Sequence, residues 1–410
     1  MNPFSEAKNN EKPSYFSWKD LSLKPYNKFE VDPFTKLRII LACGAEFEAV
    51  WFSHQFSRNC PDNDVRRSLA CMRRQEQQQQ KRLGSLKPIN EGILEHTIAY
   101  EQLAVELTAM FAEREADKYF KQALDFALLE DFDHLYRYAD LLNMAKGIKA
   151  ENLVGKLTEV MPGRPTIAHH RSPVDDIKRH INFKTCDLLT KLQACIITAA
   201  EQQTMNYYMN QANFYLDKLG RQLYTEIAMV EEEHVSLYGS LIDTNSTWFE
   251  NLLMHEYAEC YLYYSLWQDE TDPYVKKVFE QHYQIELQHL ATAVDLLNRY
   301  DKKEWKQVIK GGDFPELIKF ESRIDYVRDV LQTVQLTSDK EDYTNVDKLA
   351  PDADFFVYQS EVNVKENNVA SHCVIEKHIA DFDQDYRYQT QKHPIVELQD
   401  VKTDNTTVGR

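Results

Sequence analysis

The chain has 410 residues, with 65 acidic against 48 basic and a formal net charge of −17 at pH 7. That balance argues against nucleic acid or an anionic membrane surface as principal partner, and the length suits two or three domains with substantial cores. No apolar run approaches the roughly 20 residues of a spanning helix, and the opening MNPFSEAKNNEKPSYF holds no apolar signal core, so no membrane span and a cytoplasmic location are expected.

Seven cysteines without a Cys-x-x-Cys pair argue against a zinc knuckle or a rubredoxin-type iron site. The absence of a glycine-rich phosphate loop argues against a nucleotide cofactor. Residues 1–35 read as a polar leader punctuated by Pro3, Pro13 and Pro25. Asp32-Pro33 supplies an N-cap and a first-turn proline, and the helix that follows carries Glu46. NCPDND breaks it. The next helix carries Glu76 and Gln79, and its run of four glutamines reads as helix surface apart from Gln79.

Two more helices are expected over 91–117, with Glu101, and over 119–145, where Leu128, Phe132, Leu135, Ala139 and Leu142 make a heptad-spaced apolar stripe beside Asp131 and His134. Residues 146–176, with Gly147, Gly155, Pro162, Gly163, Pro165 and Pro173, form a linker; His169, His170 and His180 in or just after it read as exposed loop histidines. Helices follow over about 177–216, 220–242, 247–269 and 274–300. One more is expected within 301–340, in FPELIKFESRIDYVRDVLQTVQ, and residues 341–410 read as an irregular tail with short β-like runs.

A repeated pair organises these helices. Glu231-x-x-His234 recurs as Glu286-x-x-His289 and as Asp131-x-x-His134, and residues three apart share one helix face. A lone acid, Glu201, Glu256 or Glu101, precedes each pair by 30 residues. The same interval finds a fourth copy, Glu46 with Glu76, in which Gln79 stands where the others have His. An offset of 155 carries Glu46, Glu76, Glu101 and Asp131 onto Glu201, Glu231, Glu256 and Glu286. This marks an ungapped internal duplication, one half within 36–145 and the other within 177–300.

A helix rises about 1.5 Å per residue, so a chain that climbs and descends through a short turn regains its level roughly 25 to 35 residues later. The intervals 30, 25 and 30 from Glu201 to Glu286 therefore bring four acids to one height. Four carboxylates and two imidazoles facing inward are what two Fe or Mn ions require; without metal, the layer would bury unpaired charge at a cost of several kcal/mol each. The candidate ligands are Glu101, Asp131, His134, Glu201, Glu231, His234, Glu256, Glu286 and His289, with Glu46, Glu76 and Gln79 as a poorer copy. Glu48, Glu130, Glu232 and Glu233 break the offset and read as surface or as neighbours standing behind the ligands. Tyr257, Tyr261, Tyr263, Tyr264 and Trp267 read as core packing.

A lone Glu plus Glu-x-x-His, given twice over four helices, resembles the ferritin-like di-iron carboxylate superfamily: ferritins, rubrerythrins, ribonucleotide reductase small subunits, di-iron monooxygenases and acyl desaturases. The resemblance covers about residues 40–300. It implies an all-α fold, a tandem-duplicated ferritin-like bundle of about eight core helices, with two Fe ions, or Mn or mixed Fe/Mn, per complete site. It also marks Glu259, one turn after Glu256, as an extra ligand of the rubrerythrin kind.

Family members have a long crossover between their second and third helices, whereas here Glu76 to Glu101 and Glu231 to Glu256 leave room only for tight turns. Either each half closes its own bundle, or hairpins from opposite halves combine around a pseudo-two-fold axis. The function implied is a di-iron oxidoreductase that activates O2 or peroxide to oxidise a small organic substrate, with electrons from an external donor. An iron-handling ferroxidase or peroxide scavenger, and a non-catalytic helical scaffold, are the alternatives; association into a homo-oligomer stays open.

Overall fold

The computed structural model describes residues 1–7, 14–155, 157–161, 166–334, 336–364 and 369–383. Pro13, the Pro162, Gly163 and Pro165 part of the linker, and the tail beyond Asp383 lie outside the described residues. The described residues are all-α apart from one two-stranded hairpin, and no helix among them is long and apolar enough to cross a membrane. The chain forms two compact units that cut across the sequence repeat: unit 1 is 1–91, 181–203 and 242–320, and unit 2 is 92–180, 204–241 and 321–410.

Unit 1 holds α1 (Thr35–Asn59), α2 (Asn63–Ser85), the first part of α5 (Leu188–Phe214), α7 (Trp248–Asp269) and α8 (Pro273–Leu296). Helix α1 starts at Thr35 after Phe34, which makes no side-chain cap, rather than at the expected Asp32-Pro33, whereas α2, α7 and α8 start from caps written in the sequence. The Asp62 carboxylate accepts from the Asp64 and Val65 amides at the start of α2, Thr247 and Glu250 form a capping box on α7, and Asp272 caps α8 with Pro273 at its first turn. The α1–α2 hairpin of the first copy packs on the α7–α8 hairpin of the second, α1 against α7 and α2 against α8. Burial of Leu37, Leu41, Phe56, Leu69, Leu253, Leu262, Phe279 and Leu290 closes the seam.

Arg38, buried at the start of α1, is 3.2 Å from Asp32, 2.8 Å from Asp269 and 3.2 Å from Glu270, which ties α1 to the α7–α8 turn. At Gly44 a Cβ would lie 2.9 Å from the Ala199 carbonyl oxygen and 3.1 Å from the Gln203 Cβ. Only glycine admits that approach of α1 to α5.

The glutamines of α2 are not all surface. Gln78 is buried and brackets the leader: its Oε1 accepts from the Phe16 amide at 2.9 Å and its Nε2 donates to the Phe16 carbonyl at 3.0 Å. An amide side chain offers a donor and an acceptor to an extended backbone, as a neighbouring strand would. The leader so strapped places Phe16 against Arg82, 3.9 Å from the guanidinium to the ring.

Unit 2 holds α3 (Ile93–Arg114), α4 (Lys118–Lys146), the last turns of α5, α6 (Lys218–Ser240), α9 (Ile324–Thr333), α10 (Asp354–Val362) and α11 (Ala370–Phe382). Asp117 caps α4, Gly147 ends it in the left-handed region at φ 66°, and Asp217 caps α6. Here α4 packs on α6, α9 on α3 and α4, and α11 on α4 and α6. Strands β1 (Leu336–Asp339) and β2 (Asp342–Asn345) pair antiparallel across Lys340 and Glu341.

Several expectations are corrected. The helix expected from 177 starts at Leu188. In FPELIKFESRIDYVRDVLQTVQ only Ile324–Thr333 is helical, because residues 316–320 spend their backbone groups on α7: the Glu316 carbonyl accepts from the Tyr261 hydroxyl at 2.6 Å, and the Ile318 and Phe320 amides donate to Ser265 and Asp269. Within the segment read as an irregular tail, α10 and α11 are regular helices. Ser371, Val374, Ile375 and His378 are buried at helical spacing, a stripe that the β-branched Val374-Ile375 pair disguised. His169 is buried rather than exposed, His170 is half-buried, and of the three linker histidines only His180 is exposed.

Candidate metal centres

In unit 1, α1 supplies Glu46, α2 Glu76 and Gln79, α7 Glu256 and Glu259, and α8 Glu286 and His289; all seven are buried. They form two overlapping groups whose ligand atoms lie within 4.8 Å of one another: Glu76, Glu256, Glu286 and His289, and Glu46, Glu76 and Glu259. Glu76 is common to both. His289 turns Nδ1 inward, 2.7 Å from Glu76, 3.0 Å from Glu286 and 3.7 Å from Glu256. Its Nε2–H donates outward to Gln75 Oε1 at 3.2 Å, an oxygen that can only accept and so fixes the tautomer.

Gln79 occupies the place of a second histidine, and its Nε2 donates to Glu46 at 2.9 Å and to Glu286. Behind Glu46 runs a relay: Arg82 Nε donates to His282 Nε2 at 3.3 Å, His282 Nδ1 is 3.3 Å from the Tyr263 hydroxyl, and that hydroxyl donates to Glu46. Burial, then the charges of neighbouring carboxylates, pushes Glu46 and Glu259 well above the usual carboxylate range, and burial does the same to Glu256.

In unit 2, α3 supplies Glu101, α4 Asp131 and His134, and α6 Glu231 and His234, each no more than 1% exposed. Glu101, His134 and Glu231 present ligand atoms within 4.8 Å of one another, as do Asp131, Glu231 and His234. Glu231 is common to both and lies between the imidazoles, 3.0 Å from His134 Nδ1 and 3.3 Å from His234 Nδ1. Against the upward push of burial, the hydrogen bonds from His134 and His234 hold Glu231 down to about 2. The Tyr208 hydroxyl donates to Glu101 at 2.6 Å and Thr108 to Asp131 at 3.1 Å.

The outward nitrogen of His234 donates to Glu130 at 2.7 Å, and Arg171 in turn donates to both Glu130 oxygens at 2.8 and 3.0 Å. Arg171, carried in by the linker and 1% exposed, also pairs with Asp176 and, at 3.0 Å, with Glu233.

Of the residues expected to bind metal, Glu46, Glu76, Gln79, Glu256, Glu259, Glu286 and His289 meet in unit 1, and Glu101, Asp131, His134, Glu231 and His234 meet in unit 2. Glu201 is buried on the stretch of α5 that belongs to unit 1. Tyr257 and Tyr261 donate to backbone carbonyls and pack, whereas Tyr263 reaches the site. Gln75, Arg171, Tyr208 and His282 carry no repeat signature as single residues. A signal for one pair existed: Gln75 and Glu130 each immediately precede the acid of a repeated pair, 55 residues apart as Glu76 and Asp131 are.

No protein-family model matches the chain, and no curated protein or solved structure does either.

Proposed function

We propose that each buried set is a dinuclear metal centre and that the chain is a ferritin-like di-iron carboxylate oxidoreductase. The observation that carries the reading is the shared carboxylate: in each unit two ligand groups overlap at one acid, Glu76 or Glu231, as two ions bridged by a carboxylate require.

The donor set fits the ions. Ligand atoms about 2 Å from a cation are at most about 4 Å apart, close to the observed spacing of within 4.8 Å. Glu259 is 2% exposed, yet neither of its oxygens has a hydrogen-bond partner among the described residues. A buried carboxylate without a partner costs several kcal/mol, and a cation removes that cost. Hard oxygen donors with one nitrogen or none per position suit Fe(II) and Mn(II) rather than the thiolate-seeking metals.

When bound, a pair of redox-active ions supplies the electrons that reduce O2 or peroxide. The protein's residues do the rest. Gln75 and Glu130 lock His289 and His234 with Nδ1 inward. Tyr208 and Thr108 hold Glu101 and Asp131 in place, and the buried walls keep water from competing for the site. The substrate is a small organic molecule, and the electron donor is a separate protein or reagent.

The test is metal content and oxygen use. Apo protein loaded anaerobically with Fe(II) should retain about two ions per set, about four per chain, and consume O2 in a single turnover without forming a mineral core. Mineral formation would transfer the chain to iron handling. Failure to retain any iron or manganese would leave the scaffold.

A further inference from the structure

The duplicated pattern lets the two sets be compared donor by donor. Unit 2 offers an imidazole in each of its two ligand groups, His134 in one and His234 in the other. Unit 1 offers one: His289 belongs to the Glu76, Glu256 and Glu286 group, while the Glu46, Glu76 and Glu259 group has oxygen alone. The missing nitrogen is the one Gln79 replaces, and the Gln79 amide is spent on Glu46 and Glu286. Glu259, by contrast, is buried with both oxygens unpartnered among the described residues.

We infer that the centres are unlike: the Glu46, Glu76 and Glu259 position of unit 1 holds a hard divalent cation of the Mn(II) class, while the imidazole-bearing positions hold iron. This rests on the reading that both sets bind metal pairs. Carboxylate donors favour Mg, Ca and Mn, and imidazole favours Fe and the later metals. Exchanging one imidazole for carboxylates narrows the usual preference for Fe(II) over Mn(II) at that position alone.

The imidazole positions of the two units also differ in their outer partners. His234 leans on an anion, Glu130, whereas His289 leans on a neutral amide, Gln75. A carboxylate behind an imidazole makes it a stronger donor and favours an ion of higher charge; an amide does so less. Of the two imidazole positions so compared, the His234 position of unit 2 is therefore the better built for an iron that cycles between charge states.

The test uses the full chain stripped of metal and reloaded anaerobically with Fe(II) and a roughly ten-fold excess of Mn(II), the excess offsetting the general order of affinities. After unbound metal is removed, electron paramagnetic resonance and elemental analysis should find about one Mn and about three Fe per chain. Glu259→Gln should remove the manganese and leave most of the iron. Glu259→Asp, which keeps an oxygen donor, should restore it, separating loss of a ligand from loss of fold. Gln79→His should exchange the manganese for iron. Manganese spread evenly over the positions, iron filling all of them, or manganese lost in His134→Gln rather than in Glu259→Gln would overturn the inference while leaving the metal reading intact. A wild-type chain that retains neither metal would remove both.

Discussion

His234 and Glu130 are joined by a 2.7 Å hydrogen bond from Nε2–H to carboxylate, which leaves His234 Nδ1 facing Glu231 at 3.3 Å and Asp131 at 3.4 Å. The imidazole can present that nitrogen only in one tautomer and one ring orientation, and Glu130 selects both. Arg171 holds Glu130 ionised: its guanidinium and His234 draw the carboxyl below its usual range against the effect of burial. Glu130→Gln keeps the shape and weakens the acceptor, so metal at the unit 2 set should bind about 10- to 100-fold more weakly. Competition with a chromophoric chelator would measure it. Unchanged affinity would remove Glu130 from the site.

Much of this was legible in the order of residues. Apart from Glu259, the interval of 30 and the offset of 155 locate the acids and histidines that the two ligand sets share, because helical rise converts sequence distance into height. The pairing of hairpins was not legible. The two copies present equivalent faces, so either partner satisfies the same apolar stripe, and the choice is made by tertiary contacts such as Arg38 with Asp269 and Glu270. Gln78 and Arg171 were hidden for another reason. Their partners are irregular backbone or acids outside the repeat, and no period connects them.

Gly44 and Ala199 occupy equivalent positions of the two copies, 155 residues apart, and meet within unit 1. Since a Cβ at Gly44 would sit 2.9 Å from the Ala199 carbonyl oxygen, on backbone rather than on a flexible side chain, α1 must shift to admit it. Glu46 lies half a turn further along that helix. Gly44→Ala should cost about 1–3 kcal/mol in urea unfolding, and Gly44→Val more. Metal retention at the Glu46, Glu76 and Glu259 position should fall with it, a loss that a substitution at the open Gly84 would not produce.

Glu106 is a buried carboxyl of unit 2, 1% exposed, that accepts from the Thr158 hydroxyl and from the Arg323 amide at 3.1 Å. Burial raises its pKa from 4.5 to about 7, outweighing those hydrogen bonds and the Arg323 charge. A carboxyl raised in the folded state favours folding while it is protonated. That contribution is complete below 4.5 and is lost as pH rises toward 7, because the unfolded chain ionises first. Glu106→Gln cannot ionise, so relative to wild type it should gain on the order of 2–3 kcal/mol between about pH 4.5 and 8. Urea midpoints at a series of pH values would show it; a difference that stays flat would mean Glu106 titrates normally.

Glu259 separates a metal ligand from a structural carboxylate by the sign of two effects. Its burial, its two oxygens without hydrogen-bond partners among the described residues, and the neighbouring Glu46 and Glu76 all make its charge unfavourable in the metal-free chain. Glu259→Gln removes the charge and keeps the volume, so the metal-free variant should be more stable than metal-free wild type by about 1–3 kcal/mol. With metal the order should reverse. Wild type gains stability with each ion bound, about 4 kcal/mol at a thousand times the dissociation constant, and the variant forgoes most of that at this position. Thermal unfolding with chelator and then with Mn(II) measures both halves on the same samples. A carboxylate kept for its structural contacts would behave otherwise: the substitution would destabilise the metal-free protein, and added metal would raise both melting temperatures alike. Opposite signs in the two conditions are what a site selected for binding at the expense of stability predicts.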